Sequence, residues 1–397
     1  MESLKELYKI GFGPSSSHTM GPAIAAKIFK EKHPNINDFK VDLYGSLALT
    51  GKGHLTDAII YQMFQGKNVE VKFNYLESFD YHPNGMKFSA VKNGEVIDEW
   101  LVFSVGGGSI RELNEERKSK VEVYPHKNFE DILEYCETNK LTLVEYILQY
   151  EKDIFDHLNK VYDVMVKSIN DGLTNKTVLP GRLRLERKAQ DFHDRYLIDN
   201  RLRSLVFSYT LAVAEQNASG NEIVTAPTCG SSGVVPGVLI AYQKHNNISK
   251  QKVLEALAIA GLIGNVVKEN ASISGAEVGC QGEIGVACSM AAAALTYLQG
   301  GNNQYIEYSA EIALEHHLGM TCDPVDGLVQ IPCIERNAMS ALFALNASDY
   351  ALLTNGKHYV SLDKVIHVMN ETGLDLHTKY KETSVGGLAT KIKFKDQ

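Results

Sequence analysis

Apolar and polar side chains alternate strictly from Phe39 through Lys40, Val41, Asp42, Leu43 and Tyr44, the period of a strand with one buried face. The pattern then changes to the helical period over residues 54–65, where Ile59, Ile60 and Met63 fall on one side. Two further segments, 86–92 and 95–103, flank Asn93-Gly94, a pair that tolerates positive φ and so predicts a tight hairpin. Gly106-Gly107-Gly108-Ser109 closes the second run and reads as a turn or bulge rather than a phosphate cradle, because no helical pattern clearly follows it. From about residue 125 to 175 the period is helical, with Phe129, Ile132, Leu133, Leu141, Val144, Ile147 and Leu148 spaced as one apolar face. We expect this stretch to lie as a connector against both halves of the chain.

Beyond residue 201 small and apolar residues dominate, and helices are predicted over 205–215, 234–244, 250–268, 285–298, 306–317, 337–353 and 362–370. The fold class is therefore α+β. An N-terminal α/β unit with a mixed sheet occupies 1–128, a helical connector 129–178, and an all-helical unit 179–397. Leu179-Pro180-Gly181 marks the turn between the last two, and the charged run from Arg182 to Lys188 reads as a solvated face.

Composition narrows the class. With 397 residues, 44% hydrophobic and 22% charged, the chain is long enough for two or three packed units. A net charge of -8 without a basic patch disfavours nucleic acid as a partner. No signal segment opens the chain, and the weakly polar run 284–298 is too short to span a bilayer, so no membrane role is expected. Six cysteines without close pairing suit a reducing compartment, which predicts a cytoplasmic location.

Three cysteines stand apart from the rest. Cys280, Cys322 and Cys333 each lie in a turn punctuated by glycine or proline, where a thiol can face a cavity. Cys136 and Cys288 sit in helical runs and read as core, and Cys229, in Thr228-Cys229-Gly230-Ser231-Ser232-Gly233, is ambiguous. Paired cysteines at zinc or ferredoxin spacing are absent, so spacing by itself leaves both inert core thiols and metal ligands open.

Near the start, Pro14-Ser15-Ser16-Ser17-His18-Thr19 places three hydroxyls before a helix with Pro22 in its first turn. Such a helix start attracts a carboxylate, although a serine-rich cap with no ligand has the same local pattern. Thr50-Gly51-Lys52-Gly53-His54 lacks phosphate-loop spacing, and His54 is a proton acceptor only if the fold brings it to a substrate. His82 reads as structural. No lysine beside a phosphate-binding glycine loop suggests pyridoxal phosphate.

The segments Ser274-Gly275-Ala276-Glu277-Val278-Gly279-Cys280-Gln281-Gly282-Glu283-Ile284-Gly285 and Thr321-Cys322-Asp323-Pro324-Val325-Asp326-Gly327, with Gln330-Ile331-Pro332-Cys333-Ile334-Glu335-Arg336, closely resemble signatures of the iron-sulfur-dependent L-serine dehydratases. The resemblance extends to 13–19, 45–54, 179–181 and 224–228, in the family's order, and matches its single-chain type with fused beta and alpha domains. It implies an L-serine ammonia-lyase in which Cys280, Cys322 and Cys333 hold a 4Fe-4S cluster acting as Lewis acid. It further implies His54 as the base and Ser15, Ser16, Ser17, His18 and Thr19 as binders of the amino acid.

One departure is evident. Several single-chain relatives end in a cysteine just past the stretch matching Gly386-Gly387-Leu388-Ala389-Thr390-Lys391-Ile392, and that cysteine can cap the open iron; here Lys393-Phe394-Lys395-Asp396-Gln397 stands instead. A related lyase acting on threonine or cysteine, and a non-catalytic amino-acid or iron sensor, stay open as alternatives. The two-unit layout suits a homodimer.

Overall fold

The computed structural model describes residues 1–113 and 121–392, so the cysteine-free tail 393–397 lies outside the described residues. Its strands are β1 (Ile10–Phe12), β2 (Asp38–Tyr44), β3 (Asn68–Asn74), β4 (Gly85–Lys92), β5 (Glu95–Ser104), β6 (Ile110–Glu112) and β7 (Glu222–Val224). Five of them form one sheet in the order β3-β2-β4-β5-β6. The β2–β3 pair is parallel and the other pairs are antiparallel, which makes the sheet mixed.

The hairpin forms at Asn93-Gly94, with φ of 54° and 84° at the two residues, as an Asn-Gly pair permits. The triple glycine is a turn leading into β6, all three residues having positive φ. Helix Gly21–Lys32 lays Phe29 on the sheet beside Phe39, Phe88 and Trp100. Truncating a ring buried in this way costs about 3–5 kcal/mol.

The second core is helical. Helix Val286–Leu298 is apolar on every side, and such a helix has to sit inside a bundle. Helices Lys250–Asn270, Asn303–Glu315 and Cys333–Leu352 surround it. Its alanine run, Ala291 to Ala294, lets them approach closely, while the Ser289 and Thr296 hydroxyls satisfy themselves on Ala310 O, Ser309 and Ser348.

Two expectations need correction. The buried residues of helices Phe129–Asn139, Leu143–Tyr150 and Ile154–Thr174 join the helical core, and none joins the core of the sheet. Their apolar faces therefore pack in the helical body and not on the sheet, while residues 3–8 of the first unit reach them by polar contacts: Leu4 N donates to Glu151 and His157 Nε2 lies 3.0 Å from Tyr8 O. Helix Ala189–Asp199 was not expected, because Ala189 is its one fully buried side chain and the segment carries little periodic signal.

The N-terminus also crosses over. Met1, Leu4, Leu7 and Tyr8 are buried in the helical core, and β1 pairs antiparallel with β7. This places residues 13–20, at the end of β1, between the sheet and the helical body.

Candidate active site

Ser15 caps a wide helical turn, Ser16–Met20, by accepting from the His18 N–H at 3.1 Å, and the turn runs on into helix Gly21–Lys32. Asn217 holds this segment from the helical side, donating to Pro14 O at 2.8 Å. Two reciprocal bonds then lock the histidine loops together: Thr19 Oγ1 donates to His54 O at 2.7 Å and Thr56 Oγ1 donates to His18 O at 2.6 Å. The two imidazoles stack with centroids 4.5 Å apart.

Hydrogen-bond accounting gives both tautomers. Ser46 Oγ donates its single proton to Glu382 O, so it must accept from His18 Nε2–H at 3.0 Å. His18 Nδ1 then accepts from Ser17 Oγ at 2.8 Å. Burial pulls the His18 imidazole down to about 4, so the ring is neutral near pH 7. His54 Nδ1 lies 2.9 Å from Thr50 O, which can only accept, so Nδ1 carries the proton and Nε2 is left to take one.

Glu382 faces both rings. Its Oε1 lies 3.4 Å from His54 Nε2 and 3.7 Å from His18 Nδ1. Burial opposes its ionisation, whereas a proton on either imidazole favours it. The residue arrives on a C-terminal strap tied to the Cys322 loop: Cys322 N donates to Tyr380 O and Glu382 N donates to Cys322 O. Ser384 Oγ on Pro324 O and Leu388 N on Asp323 continue the attachment.

The three thiols converge on the same buried pocket, which Ser15, His54, Glu283 and Glu382 also line. Cys280 precedes the turn Gln281–Gly285, Cys322 lies beside the strap, and Cys333 is the first residue of helix Cys333–Leu352. The neighbouring Cys322 thiol lowers the pKa of Cys280; burial opposes this and the Arg336 guanidinium assists. The same contact and burial push Cys322 up, and burial pushes Cys333 up. Arg336 is held on Thr321 O at 2.6 Å and on Asp323 at 3.3 Å. Burial pushes the Glu283 carboxyl well above its usual range, and Thr228 Oγ1 donates to it at 2.8 Å.

Ligand atoms of Cys280, Glu283 and Cys322 lie within 4.8 Å of one another, as do those of His18, His54 and Glu382. The thiol set suits iron and sulfide, because iron-sulfur clusters take cysteine thiolates from separate loops. The other three cysteines do not line the pocket; Cys136, Cys229 and Cys288 are packed in the helical core. In the serine segment, Ser15 reaches the pocket, while Ser16, Ser17 and Thr19 are buried and the last two hydroxyls serve the histidines.

Sequence reasoning assigned no role to Glu283, Arg336, Asn217 or Glu382. The first two stand within the quoted cysteine segments, and Glu382 lies just before the Gly386-Gly387 stretch, which drew notice only for the cysteine missing beyond it.

An imidazole with a free nitrogen, facing three converging thiols in a closed pocket, is the equipment of a metal-dependent enzyme. The family model for the serine dehydratase beta chain matches residues 3–72, and that for the serine dehydratase alpha chain matches residues 60–389. The chain is 41% identical to an L-serine dehydratase of Haemophilus influenzae, over 99% of both proteins. It is 39% identical to L-serine dehydratase 2 of Escherichia coli, again over 99% of both, and 37% identical to an L-serine dehydratase of Streptomyces coelicolor over 98% of this chain and 99% of that one. The chain belongs to the serine dehydratase family.

Proposed function

We propose that this chain is an L-serine ammonia-lyase that converts L-serine to pyruvate and ammonia. In this reading Cys280, Cys322 and Cys333 hold a 4Fe-4S cluster, His54 is the base, and the segment from Ser15 to Thr19 receives the amino acid. The observation that carries it is the meeting of His54 Nε2 and the three thiols in one buried pocket, in a chain of this family. When bound, the cluster supplies a Lewis acid for departure of the β-hydroxyl, a poor leaving group unaided.

The protein's own residues do the rest. His54 Nε2 takes the α-proton, while Thr50 O keeps the Nδ1 proton in place and fixes the ring. The start of the helical turn at Ser15 offers N–H groups without intrahelical partners to the substrate carboxylate. Arg336 offsets negative charge on the thiolates. Loss of the α-proton and the β-hydroxyl leaves aminoacrylate, which tautomerises to an imine; water adds and ammonia leaves, giving pyruvate.

We further read the chain as cytoplasmic and homodimeric, with units 1–128 and 179–397 and the helical stretch 129–178 packed against the second. All six cysteines are free, which is compatible with a reducing compartment. Among the described residues no helix is long and apolar enough to cross a membrane. Met339, Tyr350 and Leu353, at 62%, 58% and 87% exposure near one face of helix Cys333–Leu352, offer a surface to a second copy.

The test is His54→Ala in the anaerobically prepared chain. Iron content and serine binding are expected to persist while pyruvate formation falls at least about 100-fold. Full turnover by the variant would remove His54 as the base. Parallel assays with L-threonine and L-cysteine test the choice of L-serine.

A further inference from the structure

The structure assigns Glu382 a part in proton removal: we propose that it is a positioning residue that holds and stabilises the imidazolium formed when His54 takes the α-proton. The inference rests on His54 being the base, and it concerns a residue 328 positions further along the chain.

Three observations carry it. Glu382 Oε1 is 3.4 Å from His54 Nε2, outside the range of about 2.7–3.2 Å for a full hydrogen bond. Unprotonated Nε2 and the carboxylate both present lone pairs, so no hydrogen bond joins them until that nitrogen takes a proton, when the carboxylate can accept from it and its charge is worth most. Second, the His54 Nδ1 proton bonded to Thr50 O holds the ring so that Nε2 faces the carboxylate.

Third, the backbone at Glu382 has φ +58°, and Ser384 has φ +58° as well. Non-glycine residues rarely adopt this left-handed region, and such departures persist only where surrounding contacts impose them. Here the contacts are Glu382 N on Cys322 O at 2.8 Å, and Ser46 Oγ on Glu382 O at 3.1 Å. The strap thus joins the Cys322 loop to the helix bearing Ser46, with the Glu382 side chain turned to the two histidines between them. Movement of the thiol loop would carry the carboxylate with it, so the placement of the base is tied to that of the metal ligands.

The experiment is a double-mutant cycle on the full chain, using Glu382→Gln, His54→Ala and the pair. The glutamine side chain is nearly isosteric with glutamate and leaves both backbone bonds available, so iron and sulfide content and the thermal midpoint are expected to match wild type. The Glu382→Gln variant should lose about 100-fold in kcat with KM changed less than threefold, and the isotope effect with α-deuterated serine should rise as proton removal becomes slower. In the His54→Ala background the same change should cost less than about threefold, since its partner is gone.

An unchanged kcat and isotope effect in Glu382→Gln would overturn the proposal. So would a loss matched by lost iron, which would make the residue a structural strap, or full additivity with His54→Ala, which would place its action elsewhere. Wild-type turnover by His54→Ala alone would instead remove the base assignment, and is read from a separate arm.

Discussion

Gly53, the residue before His54, meets the Cys322–Cys333 loop backbone to backbone. A Cβ added there would lie 2.4 Å from Gly327 O, 2.5 Å from Gly327 C and 2.8 Å from Asp326 O. Ordinary contact begins near 3.4 Å, so Gly53→Ala has to part the two loops by about 1 Å. Neither side is a flexible side-chain end, and Gly327 is itself packed on Thr50. A displacement of about 1 Å between a base and the groups that position its substrate costs about 100-fold in rate, or about 2.7 kcal/mol.

The assay is anaerobic pyruvate formation from L-serine, with iron content and thermal midpoint measured on the same samples. Gly53→Ala is expected to keep its iron and lose about 100-fold in kcat. Gly66→Ala is the control: at φ +83° with nothing within 4 Å of a new Cβ, it should cost about 1 kcal/mol of stability and leave kcat within twofold. Wild-type kcat in an iron-replete Gly53→Ala chain would refute the reasoning that these loops set the distance between base and thiols.

Two further outcomes are expected. Asn217→Ala removes the 2.8 Å bond to Pro14 O and loosens the Ser15 turn, so KM for serine should rise about 5- to 30-fold, the equivalent of one buried hydrogen bond, with kcat within threefold; an unchanged KM would contradict the role of that turn. Burial pushes the Glu215 carboxyl up to about 7 from 4.5. Its folded pKa is the higher one, so its stabilising effect is complete below about pH 4.5 and is lost as pH rises through about 7, on the order of 3 kcal/mol. Urea unfolding of the metal-free chain at pH 5 and pH 8 should show this loss in wild type and not in Glu215→Gln, and parallel profiles would contradict it.

Local patterning conveyed much of the fold. Strand β2, the Asn93-Gly94 hairpin and the apolar helix Val286–Leu298 each arise from a few neighbouring side chains, because period and turn chemistry act over short range. Helix Ala189–Asp199 did not stand out because its polar face outweighs its buried one. The side on which the connector packs was equally hidden, since an apolar stripe specifies that it is buried and not against what.

The site divides in the same way. Cys280, Cys322 and Cys333 could be singled out because they occupy turns, and the wording around them resembles a known family. The place of Glu382 beside His54 depends on the strap, whose Ser46–Glu382 bond spans 336 residues, and no local pattern records such a closure. Nor does a row of hydroxyls reveal which will face the pocket. Ser15 does, while the Ser17 and Thr19 hydroxyls are drawn into holding His18 and His54.

The most direct measurement is anaerobic analysis of iron, acid-labile sulfide and pyruvate formation in wild type beside Cys280→Ser, Cys322→Ser and Cys333→Ser. Wild type is expected to hold about four irons and four sulfides per chain and to deaminate L-serine, with each substitution reducing metal and turnover together. A chain free of iron and sulfide that still formed pyruvate at the full rate would contradict the account.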